Sequence, residues 1–96
     1  MLGALQARLA ELEDSLRRGV DRSVFGKIFA VNNEIGRAVR EHPSLRGPLL
    51  DLQSNVNAIT LSLKAGDVAL AEGALEASLR SFSRMKEGRG PPKKIL

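Results

Sequence analysis

The chain has 96 residues, a net charge of +4, 43% apolar residues, three aromatic residues that are all Phe, and no cysteine. That length bounds it to one domain at most with a modest core, so association with a second chain is an expectation on size grounds alone. The composition excludes a disordered chain, disulfides, thiolate chemistry and a Cys-based metal site.

Leu and Ala dominate the apolar set, which favours helices over sheets. The first segment carries Leu2, Leu5, Leu9, Leu12 and Leu16 at alternating steps of three and four. This is a leucine seam of coiled-coil spacing that needs a partner helix, in the same chain or in another. Arg8, Glu11, Glu13 and Asp14 interrupt it with charge, which breaks the apolar core of a signal peptide. No apolar run approaches the roughly 20 residues of a membrane span. The expectation is therefore a cytoplasmic protein with no membrane partner.

Gly19 leaves two readings open. Glycine disfavours a helix interior, and Asp21 or Ser23 can cap a new helix. Yet the apolar stripe keeps phase through Leu16, Val20, Val24, Ile28, Val31, Ile35 and Ala38. One long helix over 2–41, kinked at Gly19, is favoured over two helices with a break at 19–22. Such a helix is roughly 60 Å long and outruns the rest of the molecule, so a homodimer is expected to cover its seam. Phe25 and Phe29 widen the stripe and predict the centre of the core. His42-Pro43 ends this segment, because the residue before a proline avoids the helical region.

The spacing then predicts a helical hairpin. Its arms lie at about 45–65 and 67–87, joined by Lys64-Ala65-Gly66-Asp67. Gly66 can take the left-handed conformation that ends a helix, and Asp67 can cap the next. The first arm shows an uncharged polar face: Gln53, Ser54, Asn55, Asn57, Thr60 and Ser62. Solvated helix faces are usually rich in Lys and Glu, so this face points to a helix flanked by neighbours and hydrogen-bonded across an interface. The second arm places Glu72 and Glu76 early and Arg80 and Arg84 late, which suits the helix dipole.

Residues 88–96 hold two Gly and two Pro and read as a flexible basic tail. Arg89, Lys93 and Lys94 carry most of the positive surplus, so the body is close to neutral. These three, together with the Arg17, Arg18 and Arg22 group, are the candidate contacts to nucleic-acid phosphates.

Two short stretches resemble known families. Arg37, followed by four residues and His42, resembles the catalytic signature of the HEPN family of helical, dimeric ribonucleases. That resemblance implies RNA cleavage across a dimer interface; the position after Arg37 is Ala38, where the family usually has a polar residue. The stretch from Leu63 to Leu75 is similar to the hairpin turn of the exonuclease VII small subunit, a shorter and more acidic family, and no function is taken from it. With one His and scattered carboxylates, no catalytic residue, metal or cofactor is expected.

The reading is an all-α antiparallel bundle: a long N-terminal helix packed on a C-terminal helical hairpin. The function expected is a non-enzymatic protein–protein interaction or scaffolding module, acting as a homodimer through Leu2, Leu5, Leu9, Leu12 and Leu16. The alternatives are a nucleic-acid-associated protein working through its tail and, behind that, a HEPN-like ribonuclease.

Overall fold

The computed structural model describes residues 2–87, and the basic tail at 88–96 lies outside the described residues. Four α-helices follow one another: α1 (Gly3–Arg18), α2 (Arg22–Glu41), α3 (Arg46–Lys64) and α4 (Val68–Lys86). A short 3-10 turn at Pro43–Leu45 joins α2 to α3. Among the described residues there is no strand, and the all-α bundle read from the sequence is the fold observed.

The long N-terminal helix is not formed. Gly19 adopts φ 140°, a conformation that residues with a side chain rarely take. Asp21 then starts α2: its carboxylate accepts hydrogen bonds from the backbone N–H of Ser23 at 2.8 Å and from the Ser23 hydroxyl. The chain reverses across these three residues, and α2 returns along α1. The continuity of the apolar stripe through Val20 was coincidental, since Val20 is exposed.

The second turn forms as the sequence dictates. Gly66 sits at φ 78°, which lets the Asp67 N–H reach the Ser62 carbonyl at 2.9 Å. The Asp67 carboxylate accepts from the N–H of Leu70 at 2.9 Å. Helix ends leave such donors unpaired, and these bonds satisfy them.

Both hairpins are antiparallel, and so is the α2–α3 pair. Asn32 and Asn57 bond to each other, and they lie nine residues before the end of α2 and eleven after the start of α3. At the far edge the Lys86 ammonium donates to the Gln6 side-chain oxygen at 3.4 Å, which sets the start of α1 beside the end of α4. α1 and α4 touch least of the neighbouring pairs.

The core is one cluster fed by all four helices. Leu12, Val24, Val31, Ile35, Leu49, Leu52, Val56, Ile59 and Ala71 are fully enclosed within it. Burial of each of the larger side chains stabilises the fold by about 1.5–3 kcal/mol. Two buried polar side chains lie on α3 and α4, Ser62 and Ser78. These two hydroxyls are buried and donate to the carbonyls of Ala58 at 2.8 Å and Ala74 at 2.9 Å within their own helices.

Leu12→Ala opens a cavity in the fully enclosed centre and is expected to cost about 2–5 kcal/mol in urea unfolding; a loss under about 1 kcal/mol places Leu12 elsewhere. The Asp21 carboxyl is held below its ordinary value of 3.8 by the Ser23 hydroxyl first and the Ser23 N–H second. A lowered folded-state value means that its contribution is present above the ordinary value and is lost as pH falls through the lowered one. Unfolding measured at a series of pH values is expected to show Asp21→Asn losing less stability than wild type below about pH 4.

Candidate interaction face

Where α2 and α3 lie side by side, their outward faces carry the same pattern. On α2, Arg22, Phe25, Phe29, Asn32, Gly36 and Arg40 recur at steps of three and four, so they form one stripe along the helix. On α3, Arg46, Leu50, Ser54, Asn57, Leu61 and Lys64 form a second stripe by the same rule. Each stripe begins and ends on a cation, with no charge between. Each spans eighteen positions, which is about 27 Å of helix.

The Asn32 amide donates to the Asn57 side-chain oxygen at 3.3 Å and ties the stripes together at mid-length. One turn from this pair toward the Gly19–Asp21 end lie Phe29 on α2 and Leu61 on α3, brought to one level because the helices run antiparallel. Phe29 is 67% exposed and Leu61 69% exposed, with Phe25 and Leu50 at about 40%. Single exposed apolar side chains are ordinary on a protein surface, but a run of them on adjacent helices, between uncharged polar groups, is the mark of a surface that meets another molecule.

The expectation that Phe25 and Phe29 form the centre of the core is therefore corrected. α2 buries Val24, Ile28, Val31, Ile35 and Ala38 instead, and the two rings sit outside that stripe. The uncharged face of the first hairpin arm divides into two parts. Asn55 and Asn57 are spent holding α3 to its neighbours, Asn55 through a bond from its amide to the Ser81 hydroxyl at 3.1 Å and Asn57 through the bond to Asn32. Ser54 and the exposed Leu50 and Leu61 remain on the outer side. The Asn32 side-chain oxygen is buried and accepts no hydrogen bond.

Charge is distributed to match. On α1, Arg8 pairs with Glu11, Arg17 with Glu13 and Arg18 with Asp14, each at 3.0 Å. On α4, Arg80 faces Glu76 at 4.0 Å. Arg22, Arg40, Arg46 and Lys64 make no ion pair among the described residues. On α1 every arginine is paired, whereas Arg84 and Lys86 on α4 and Lys27 on α2 are in no ion pair among the described residues; the four unpaired cations that bound the α2/α3 face are Arg22, Arg40, Arg46 and Lys64. The Arg40 guanidinium lies along the stripe, near where a Gly36 side chain would begin.

The other residues singled out in the sequence fall elsewhere. Leu5, Leu9, Leu12 and Leu16 are buried within the chain's own core, and Leu2 is packed against it. The seam is covered by α2 and α4 rather than projecting beyond them. In the Arg17, Arg18 and Arg22 group, the first two are ion-paired and only Arg22 is free. Arg89, Lys93 and Lys94 lie outside the described residues. Arg37 and His42 border one depression of about 130 Å³ with Glu34 and Glu41; Arg37 reaches toward Glu34 at 3.9 Å, and the His42 N–H bonds to the Ala38 carbonyl at the helix end. A larger cleft of about 420 Å³ at the α1–α2 turn is lined mainly by polar and charged groups. No group of His, Asp and Glu is arranged to hold a metal among the described residues, and no helix among them is long and apolar enough to cross a membrane.

Comparison with known proteins finds no matching family model, no matching curated protein and no matching solved structure.

The exposed apolar residues of this face contribute little to folding. Phe29→Ser combined with Leu61→Ser is expected to change unfolding free energy by no more than about 1 kcal/mol, the range of two surface substitutions. A cooperative loss several times larger means that the two side chains are part of the core.

Proposed function

We propose that the protein is a non-enzymatic helical interaction module that docks a protein partner on the α2/α3 face. The observation that carries this is the exposure of Phe29 and Leu61 side by side on a face without charge at its centre. Interface centres are depleted of charged residues and enriched in aromatic ones, while the rim is polar. A rigid helical pair is also a good platform, because the Asn32–Asn57 bond and the core beneath fix the two stripes relative to each other. A cysteine-free chain is suited to a reducing compartment, and the cytosol is the site proposed for it.

The leucine seam no longer supplies a reason for a homodimer, because its side chains are enclosed by their own chain. The docking reading rests on the α2/α3 face instead.

Affinity capture from the source cell, with identification of the retained proteins, tests it. Three baits are compared: wild type, Phe29→Ser with Leu61→Ser, and Glu72→Ser on the exposed side of α4. At least one protein is expected on wild type and on Glu72→Ser and absent from the double variant. An identical set on all three baits removes the face from consideration.

A further inference from the structure

The docking face specifies the charge and length of what it takes. We infer that its occupant is an amphipathic helix of about five turns whose apolar stripe is bounded at both ends by Asp or Glu, seated along the α2/α3 face. This rests on the docking reading proposed above and adds the chemistry of the partner.

The argument starts from the four corners. Arg22 and Lys64 stand at the end of the face nearest the two hairpin turns, and Arg40 and Arg46 stand at the other. None is in an ion pair within the described residues; Lys27, Arg84 and Lys86 are not either, but they lie off this face, and the five other arginines of the described residues each have a carboxylate on their own helix. The two cationic ends are about 27 Å apart along either helix, and the helices are about 8–10 Å apart across the face. An extended strand spans 27 Å in about eight residues, but its side chains alternate sides and half of them miss the face. A helix spans it in about eighteen, with an unbroken apolar stripe facing down and its terminal turns over the corners. Carboxylates on those terminal turns meet the free guanidinium and ammonium groups, and such rim pairs steer docking and discriminate between partners.

The same corners disfavour a second copy. A face-to-face pairing of two α2/α3 faces with their helices aligned sets cations of one chain over cations of the other, and like-charge juxtaposition across an interface is costly. A lipid surface is disfavoured by the centre of the face. Ser54 and the Asn32–Asn57 pair occupy it, and the single bond within that pair leaves the rest of its polar capacity without partners in hydrocarbon, which is unfavourable. A continuous phosphate backbone would meet cations only at the two ends, with Phe and Leu between them.

The test uses the full chain and two labelled synthetic helices of about twenty residues. Both carry the same Leu stripe at helical spacing; one ends in Glu pairs and the other in Lys pairs. Binding is followed by fluorescence anisotropy at low and at moderate salt. The Glu-ended helix is expected to bind about tenfold or more tightly than the Lys-ended one, with the gap narrowing as salt rises. Arg22→Glu with Arg40→Glu leaves one cation and one carboxylate at each end and is expected to abolish the preference, whereas a preference set by the basic tail would persist. Phe29→Ser with Leu61→Ser is expected to weaken both helices about equally.

Equal binding of the two helices that still requires Phe29 and Leu61 overturns the charge specification and leaves the docking face standing. Binding indifferent to all four substitutions overturns both, and so does failure of every helix to bind together with unchanged affinity capture by the double variant. Failure of the helices with capture still dependent on Phe29 and Leu61 overturns the helical occupant alone. Cosedimentation with anionic phosphatidylserine vesicles, capture of an oligonucleotide, or a dimer in sedimentation velocity, each lost on Phe29→Ser with Leu61→Ser, replaces the acidic helix with that occupant.

Discussion

Burial of the α1 leucines by α2 and α4 of the same chain is the interaction on which the other features depend. Leu5, Leu9, Leu12 and Leu16 are almost wholly withdrawn from solvent, and that requires the chain to turn back sharply at Gly19–Asp21. Glycine supplies the backbone conformation, and the Asp21 carboxylate supplies acceptors for the first donors of α2. Once α1 is folded onto α2, the inner side of α2 is fully committed and its remaining side faces outward beside α3. The exposed α2/α3 face is therefore a consequence of the reversal. Had α1 and α2 continued as one rod, the leucine ridge and not Phe29 would have stood open to solvent.

The two turns show what a sequence can reveal and why. At Lys64–Asp67 the apolar stripe shifts phase, a glycine stands where the left-handed residue must be, and an acidic cap follows. Three independent signals agree. At Gly19–Asp21 the glycine and the acidic cap are present, but the stripe does not shift, because Val20 falls where the periodicity wants an apolar residue. A helix read by periodicity alone runs straight through. The deciding fact is tertiary: α1 has a partner in its own chain, and 16 residues of α1 against 20 of α2 make two arms of nearly equal length. Matching of lengths was visible in the sequence only after a break had been assumed.

The face was half visible by similar reasoning. The low charge of the α3 outer side stood out from composition alone, and the bonds from Asn55 and Asn57 to α4 and α2 account for part of it. The α2 half was hidden because Phe25 and Phe29 sit next to the core positions Val24 and Ile28, and an aromatic residue beside a core stripe reads as more core. What separates them is direction around the helix, since i and i+1 differ by about 100°. The signal that could have found the face is the recurrence of the same bounded stripe on two successive helices: a cation, four uncharged residues at steps of three and four, and a second cation eighteen positions after the first. Arg22 to Arg40 and Arg46 to Lys64 are the two instances.

That recurrence gives the surface an approximate twofold axis of its own, running through the Asn32–Asn57 bond. Rotation about it exchanges Arg22 with Arg46 and Arg40 with Lys64, so the electrostatic field is nearly blind to which way along the face a visitor runs. The hydrophobic bulk is not blind. Phe25, Phe29 and Leu61 crowd the half near the hairpin turns, while Gly36, Ser54 and Leu50 make the other half shallow. Polarity of docking is thus read by steric volume, with the Arg40 guanidinium lying beside Gly36 at the shallow end.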